Sequence, residues 1–218
     1  MKNKLIFYTF WLILLVLAPL SALSVTPWAF VQDDPGRIIN LAQRLIGLWV
    51  YILLFIQIIL GTFMPRLIKK YGAWIFKFHI FEGVLIFLLI ILHPLAFTVF
   101  NYLAGKGFDP LYAYIDVCVL CDGITDFFYN FGRIGFWLVT VGVVSGLFRA
   151  ATPFMRLHWR KFHIVNYVAF FFIWFHSLKL GLDIGTPPFS YLHGSALIII
   201  TGIVIYKLCK YFLAKPRS

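Results

Sequence analysis

Six apolar runs, each long enough to cross a bilayer and separated mostly by short polar connections, leave this chain little choice of fold. They cover about residues 5–24, 38–63, 73–100, 134–151, 162–182 and 195–212. A helix rises about 1.5 Å per residue, so roughly 20 apolar residues span a hydrocarbon core about 30 Å thick. Inside lipid every backbone amide must find its partner within the protein, and a helix does this within a single segment. The expectation is therefore an all-α integral membrane protein, a six-helix transmembrane bundle forming one domain over residues 1–218, with no internal repeat. Composition supports this: 62% of residues are hydrophobic, 12% are charged and the mean hydropathy is +0.91, values that exclude an ordinary soluble domain. The first run, behind Lys2 and Lys4, reads as a retained helix. Its small residues near Ser21 to Ser24 also suit a cleaved signal peptide, which would leave five spans.

A net charge of +11 would suggest nucleic acid in a soluble protein. Sorting charges by alternate connections gives another explanation. One side receives 14 of the 19 basic residues: Lys2, Lys4, Arg66, Lys69, Lys70, Lys77, Arg149, Arg156, Arg160, Lys161, Lys207, Lys210, Lys215 and Arg217. The other receives seven of the eight acids and only Arg37, Arg44, Lys106, Arg133 and Lys179. By the positive-inside bias both termini are expected in the cytoplasm of a multi-pass cell-membrane protein, with the lipid bilayer as its partner and no nucleic acid.

Two apolar runs carry a histidine at each end: His79 to His93 (HIFEGVLIFLLIILH) and His163 to His176 (HIVNYVAFFFIWFH). An ionisable side chain at membrane depth marks a functional site by default. The third and fifth spans run in the same direction, so His79 and His163 fall near the basic face and His93 and His176 near the acidic one. Offsets of 14 and 13 residues separate the two levels by roughly 20 Å of helix. Neutral imidazoles on two facing helices can close both axial positions of a haem iron, which favours electron transfer over oxygen binding. Phe170, Phe171, Phe172, Trp174 and Phe175 offer flat apolar walls, and Gly83 would let a macrocycle approach the backbone. One feature resists this picture. At about 100° per residue an offset of 14 ends roughly 40° short of four turns and an offset of 13 roughly 140° short, so His163 and His176 do not share a face of a straight helix. Either the fifth helix is bent or locally 3₁₀, or the two macrocycles sit on different flanks of it. His158 and His193 fall in connections and read as surface residues.

The pattern His79-x13-His93 with His163-x12-His176, on the third and fifth of six spans, resembles the transmembrane domain of ferric reductases and NADPH oxidases. Trp159-x3-His163-x3-Tyr167 before His176 is also similar to the haem-binding membrane subunit of the periplasmic methionine sulfoxide reductase system, a relative in the same superfamily. The resemblance covers essentially the whole chain. It implies two haem b groups stacked between helices three and five, with His79 and His163 as axial iron ligands of an inner haem and His93 and His176 of an outer one. The implied function is a di-haem b-type membrane cytochrome of oxidoreductase type, passing electrons to ferric iron, oxygen or an exported redox partner. The oxidases continue into flavin- and nicotinamide-binding domains, whereas no glycine-rich dinucleotide fingerprint occurs in this sequence. The expected donor is therefore a separate flavoprotein, a quinol, or a dehydrogenase domain removed from a longer chain. A quinol-fed subunit of an extracytoplasmic reductase is one alternative. A metal-ion or proton transporter lined by the histidines is another, of a different class.

Other polar residues admit two readings each. Arg44, within the second span, has an outer-haem propionate as its natural partner, and Arg149 an inner one; both also suit snorkelling to lipid phosphate. Glu82, the only acid inside a span, is expected to be protonated, to bridge to a histidine, or to relay a proton. Cys118-x2-Cys121, in the acidic connection, either exchanges electrons with the outer haem or staples a loop.

Overall fold

The computed structural model describes residues 2–121 and 123–214. Asp122, counted on the acidic side, and Lys215 and Arg217, counted on the basic side, lie outside the described residues. Everything regular among the described residues is helical. Four long helices come first: α1 (Lys2–Val25), α3 (Pro35–Tyr71), α4 (Trp74–Leu103) and α6 (Ile124–Leu147), with the short α2 (Trp28–Val31) and α5 (Tyr112–Ile115) in the connections. α7 (Pro153–His163), α8 (Asn166–Leu180) and α9 (Phe189–Ala214) complete the chain.

α3 is the axis of the bundle. Half of its most apolar stretch is buried, against 17–22% for the corresponding stretches of α1, α4, α6 and α9. Its start is sharply fixed: the Asp34 carboxylate accepts from the amides of Gly36 and Arg37, and Pro35 supplies a helical φ where no amide is needed. Its end is fixed by Gly72, whose φ of 94° lies in the left-handed region. α4 returns antiparallel against α3, while α6 and α8 form a second antiparallel pair. α1 is tied to this body by polar contacts: Trp49 Nε1–H donates to the Leu15 carbonyl (3.0 Å), and the Phe189 amide donates to Ser21 Oγ (3.2 Å). Leu5, Ile13, Ile198 and Leu213 point away from the body and are 56–85% exposed, as suits a surface bathed in lipid.

Five helical stretches are long and apolar enough to cross a membrane: Asn3–Val25, Pro35–Tyr71, Trp74–Leu103, Ile124–Leu147 and Phe189–Leu213. That makes the chain a multi-pass membrane protein by length and composition. The expected fifth span, residues 162–182, is divided. α7 ends at His163, Ile164 and Val165 form a turn, and α8 continues for only 15 residues. Within the turn the Val165 amide bonds to Phe162 O and the Tyr167 amide to Ile164 O, three residues back rather than four. The irregularity demanded by the 13-residue offset is therefore built immediately after His163.

Two boundaries also differ from the sequence reading. α6 begins at Ile124, ten residues before the expected start, because the polar residues that suggest a loop there, Asn130 and Arg133, are buried inside the bundle. α9 begins at Phe189, six residues early, and takes in His193. His193 is not a surface residue: it is 4% exposed, stacked on Trp174 at 5.0 Å with an interplanar angle of 12°. Its Nε2 lies 3.0 Å from Ser177 Oγ. His158 sits on α7, half-buried and stacked on Phe154.

Candidate functional site: two levels of paired histidines

The four histidines meet across the bundle in two pairs. His79 on α4 faces His163 at the end of α7, with ring centroids 6.2 Å apart and planes at 75°. His93, also on α4, faces His176 on α8 at 6.3 Å and 87°. Each pair borders a cavity, one of about 410 Å³ at the His79 and His163 level and one of about 360 Å³ at the His93 and His176 level.

Three of these rings are held by one device. His93 Nδ1 bonds to the Gln43 carbonyl (2.9 Å), His163 Nδ1 to the Gly142 carbonyl (2.8 Å) and His176 Nδ1 to the Phe128 carbonyl (3.1 Å). In each case the residue four places after that carbonyl is a glycine lying against the same ring: Gly47, Gly146 and Gly132. A helical carbonyl already accepts the amide four residues on, but its second lone pair is free. Without a Cβ on the glycine an imidazole can come close enough to use it. A carbonyl only accepts, so Nδ1 carries the proton and Nε2 is left with its lone pair directed away from the anchoring helix.

His79 departs from the pattern. Gly61 is its glycine, but a Cβ there would lie a comfortable 3.5 Å from Cε1, and His79 Nδ1 is buried with no partner among the described residues. Gln57, four residues before Gly61, uses its side chain instead, donating from Nε2 to the His79 carbonyl and to Glu82 Oε2, both at 2.8 Å. Glu82 is fully buried and accepts from Trp11 Nε1 at 2.7 Å, so its partners are Gln57 and Trp11 and it does not bridge to a histidine ring.

Charge is distributed unevenly around the two cavities. The His79 and His163 cavity has Arg149, Arg160 and Lys207 in its wall and no carboxylate among the described lining residues. Arg149 donates to the Gly146 carbonyl at 2.9 Å. The other cavity is lined by Arg44, Arg133 and Asp183. Arg44 pairs through both Nε and Nη2 with the Asp183 carboxylate and donates from Nη1 to Thr26 (2.8 Å), so a protein carboxylate already meets it. Arg133, counted in the sequence only among the few cations of the acidic side, is 4% exposed, and its Nε has no partner among the described residues.

Among the described residues no cluster of three or more His, Cys, Asp or Glu side chains is arranged to hold a metal ion. Each level offers two nitrogens, whereas an ion held by protein alone usually takes more ligands. A macrocycle that brings its own equatorial donors needs only two. No protein-family model, curated protein or solved structure matches this chain.

Proposed function

We propose that this chain is a di-haem b-type cytochrome of the cell membrane, with six spans and cytoplasmic termini, that carries electrons across the bilayer to an acceptor on the outer side. The observation that carries the reading is the pair of facing imidazoles at each level. Metal–imidazole bonds of about 2 Å on either side of one ion separate ring centroids by roughly 6.3 Å, and the two pairs stand at 6.2 and 6.3 Å.

The residues around the pairs fit the same group. Gly47, Gly132 and Gly146 lie against three of the imidazoles, and Gly83 faces open space in the cavity wall at the fourth. Haem held by His79 with His163 and by His93 with His176 would supply one-electron chemistry. The chain's own contributions are orientation and charge. The carbonyls of Gln43, Gly142 and Phe128 fix three ring planes and their tautomers. Arg133, whose Nε has no partner among the described residues, and the cations Arg149, Arg160 and Lys207 suit the propionates of the two groups. The sixth span is α8 completed by the Ile164–Val165 turn and the end of α7. The basic ends of α3, α4, α6 and α9 face the cytoplasm, where a flavoprotein donor, or a quinol in the membrane, delivers electrons to the inner level.

A spectrum of the purified protein tests this reading directly. Reducible low-spin haem at about two groups per chain is expected; a colourless protein that binds no added haem refutes it.

A further inference from the structure

Cys118 and Cys121 are joined in a disulfide in the connection between α5 and α6. The two residues between them, Val119 and Leu120, are 94% and 92% exposed, more than any other large hydrophobic residue described. A bridge across so short a loop restricts the unfolded chain least of all bridges, so stapling explains little of its presence.

What surrounds the bridge is more specific. Asn130, 8% exposed on α6, accepts the Cys118 amide at Oδ1 (3.2 Å) and donates from Nδ2 to the Cys118 carbonyl (2.7 Å). The same Nδ2 lies 3.2 Å from Cys118 Sγ and 3.3 Å from Cys121 Sγ. Arg133 Nη1 donates to Asn130 Oδ1 at 3.3 Å, and Arg133 lines the cavity of His93 and His176. One buried side chain thus touches both sulfurs and the cation that borders the outer level. An amide donor and a nearby guanidinium both favour negative charge on sulfur.

We propose that Cys118 and Cys121 form a dithiol–disulfide relay, linked through Asn130 and Arg133 to the outer histidine level, that reduces disulfides of exported proteins. The proposal rests on the cytochrome reading for its source of electrons. Two electrons passed one at a time through the outer level, which the donor on the basic side refills between transfers, with two protons from water at the exposed loop, would convert the S–S bond to two thiols, the donor being oxidised by two electrons. One loop thiolate then attacks a disulfide sulfur of the exported protein to give a mixed disulfide. The second loop thiol displaces it, releasing the partner as a dithiol and closing the Cys118–Cys121 bridge again.

Two measurements on the full-length protein in membrane vesicles test this. In the first, the protein is equilibrated across a reduced-to-oxidised glutathione series, quenched and tagged with a maleimide polymer. Free Cys209 gives one constant tag, and the pair adds two more as it opens. Opening within the folded protein is expected, and a pair that stays closed until the protein unfolds overturns the relay. In the second, haem-loaded protein receives dithionite on the basic side only. The pair is expected to open in the wild type, with loss of opening in His176→Ala and in Asn130→Ala; equal opening in His176→Ala overturns the link to the outer level. The glutathione series needs no haem, so failure of the cytochrome reading and failure of the exchange site are told apart.

Discussion

A Cβ placed on Gly132 would lie 2.7 Å from both Cε1 and Nδ1 of the His176 ring. That contact is shorter than real Cβ atoms show, so the position of His176 depends on the absence of a side chain at Gly132, distant in sequence but adjacent in space. The same relationship holds for Gly47 and His93 at 2.8 Å, more loosely for Gly146 and His163 at 3.3 Å, and hardly at all for Gly61 and His79 at 3.5 Å.

These distances predict a graded series. Gly132→Ala and Gly47→Ala should displace their histidines, lower stability by about 1–3 kcal/mol through overpacking, and diminish the outer haem signal in a reduced-minus-oxidised spectrum. Gly61→Ala should leave the inner signal intact. Gly202→Ala, whose Cβ meets nothing within 4 Å, serves as the control and should be neutral or stabilising by up to about 1 kcal/mol.

The Arg44–Asp183 pair predicts a different pattern. Its side chains are 11% and 2% exposed, and removing one member of a buried pair leaves the other charged and unmatched, at a cost of about 3–5 kcal/mol. Asp183→Ala should therefore lower the thermal midpoint sharply. If Arg44 serves the pair and not a propionate, Arg44→Leu with Asp183→Leu should recover most of that loss and keep the outer haem spectrum; loss of the outer signal in the double variant assigns Arg44 to the cofactor.

The bundle and its histidines were legible in the sequence because they rest on strong local signals. Twenty apolar residues must be a helix in lipid, and a histidine among them stands out. The 13-residue offset between His163 and His176 carried a further signal, the interruption now seen at Ile164–Val165. The glycine partners were equally present, since Gly47 to Gly61 and Gly132 to Gly146 repeat the 14-residue spacing of His79 to His93. They do not stand out there, because a membrane helix uses glycine for many purposes. Arg133 and Asn130 fall just before the start of the expected fourth span because polarity alone does not say whether a side chain faces water or a polar cavity. His193 needed tertiary information, its burial being set by Trp174 and Ser177 on another helix.

Glu82 makes α1 part of the folded body. Trp11→Phe removes the Nε1–H donor at 2.7 Å and leaves a fully buried carboxyl oxygen without it. An unsatisfied buried acceptor costs about 1–3 kcal/mol, so the variant should unfold earlier in a detergent melt than Trp49→Phe, whose lost partner is a helix carbonyl that retains its own amide bond. Equal melts for the two variants would show that Trp11 contributes only packing.

Pairing across helices, rather than along them, gives the most discriminating prediction. His79 and His93 are separated by roughly 20 Å of helix, so they cannot serve one iron, whereas His79 and His163 face each other at 6.2 Å. His79→Ala and His163→Ala should each abolish the same spectral component, and combining them should cost nothing further in haem content, because the two residues act as one unit. His93→Ala with His176→Ala should behave likewise for the other component. Combining His79→Ala with His93→Ala should instead remove both, taking haem per chain from about two to zero. His193→Phe keeps the stack on Trp174 and loses only the contact to Ser177; it should retain both components while lowering stability by about 0.5–1.5 kcal/mol. If His79→Ala and His163→Ala erase different components, the pairing is wrong even though all four histidines bind haem.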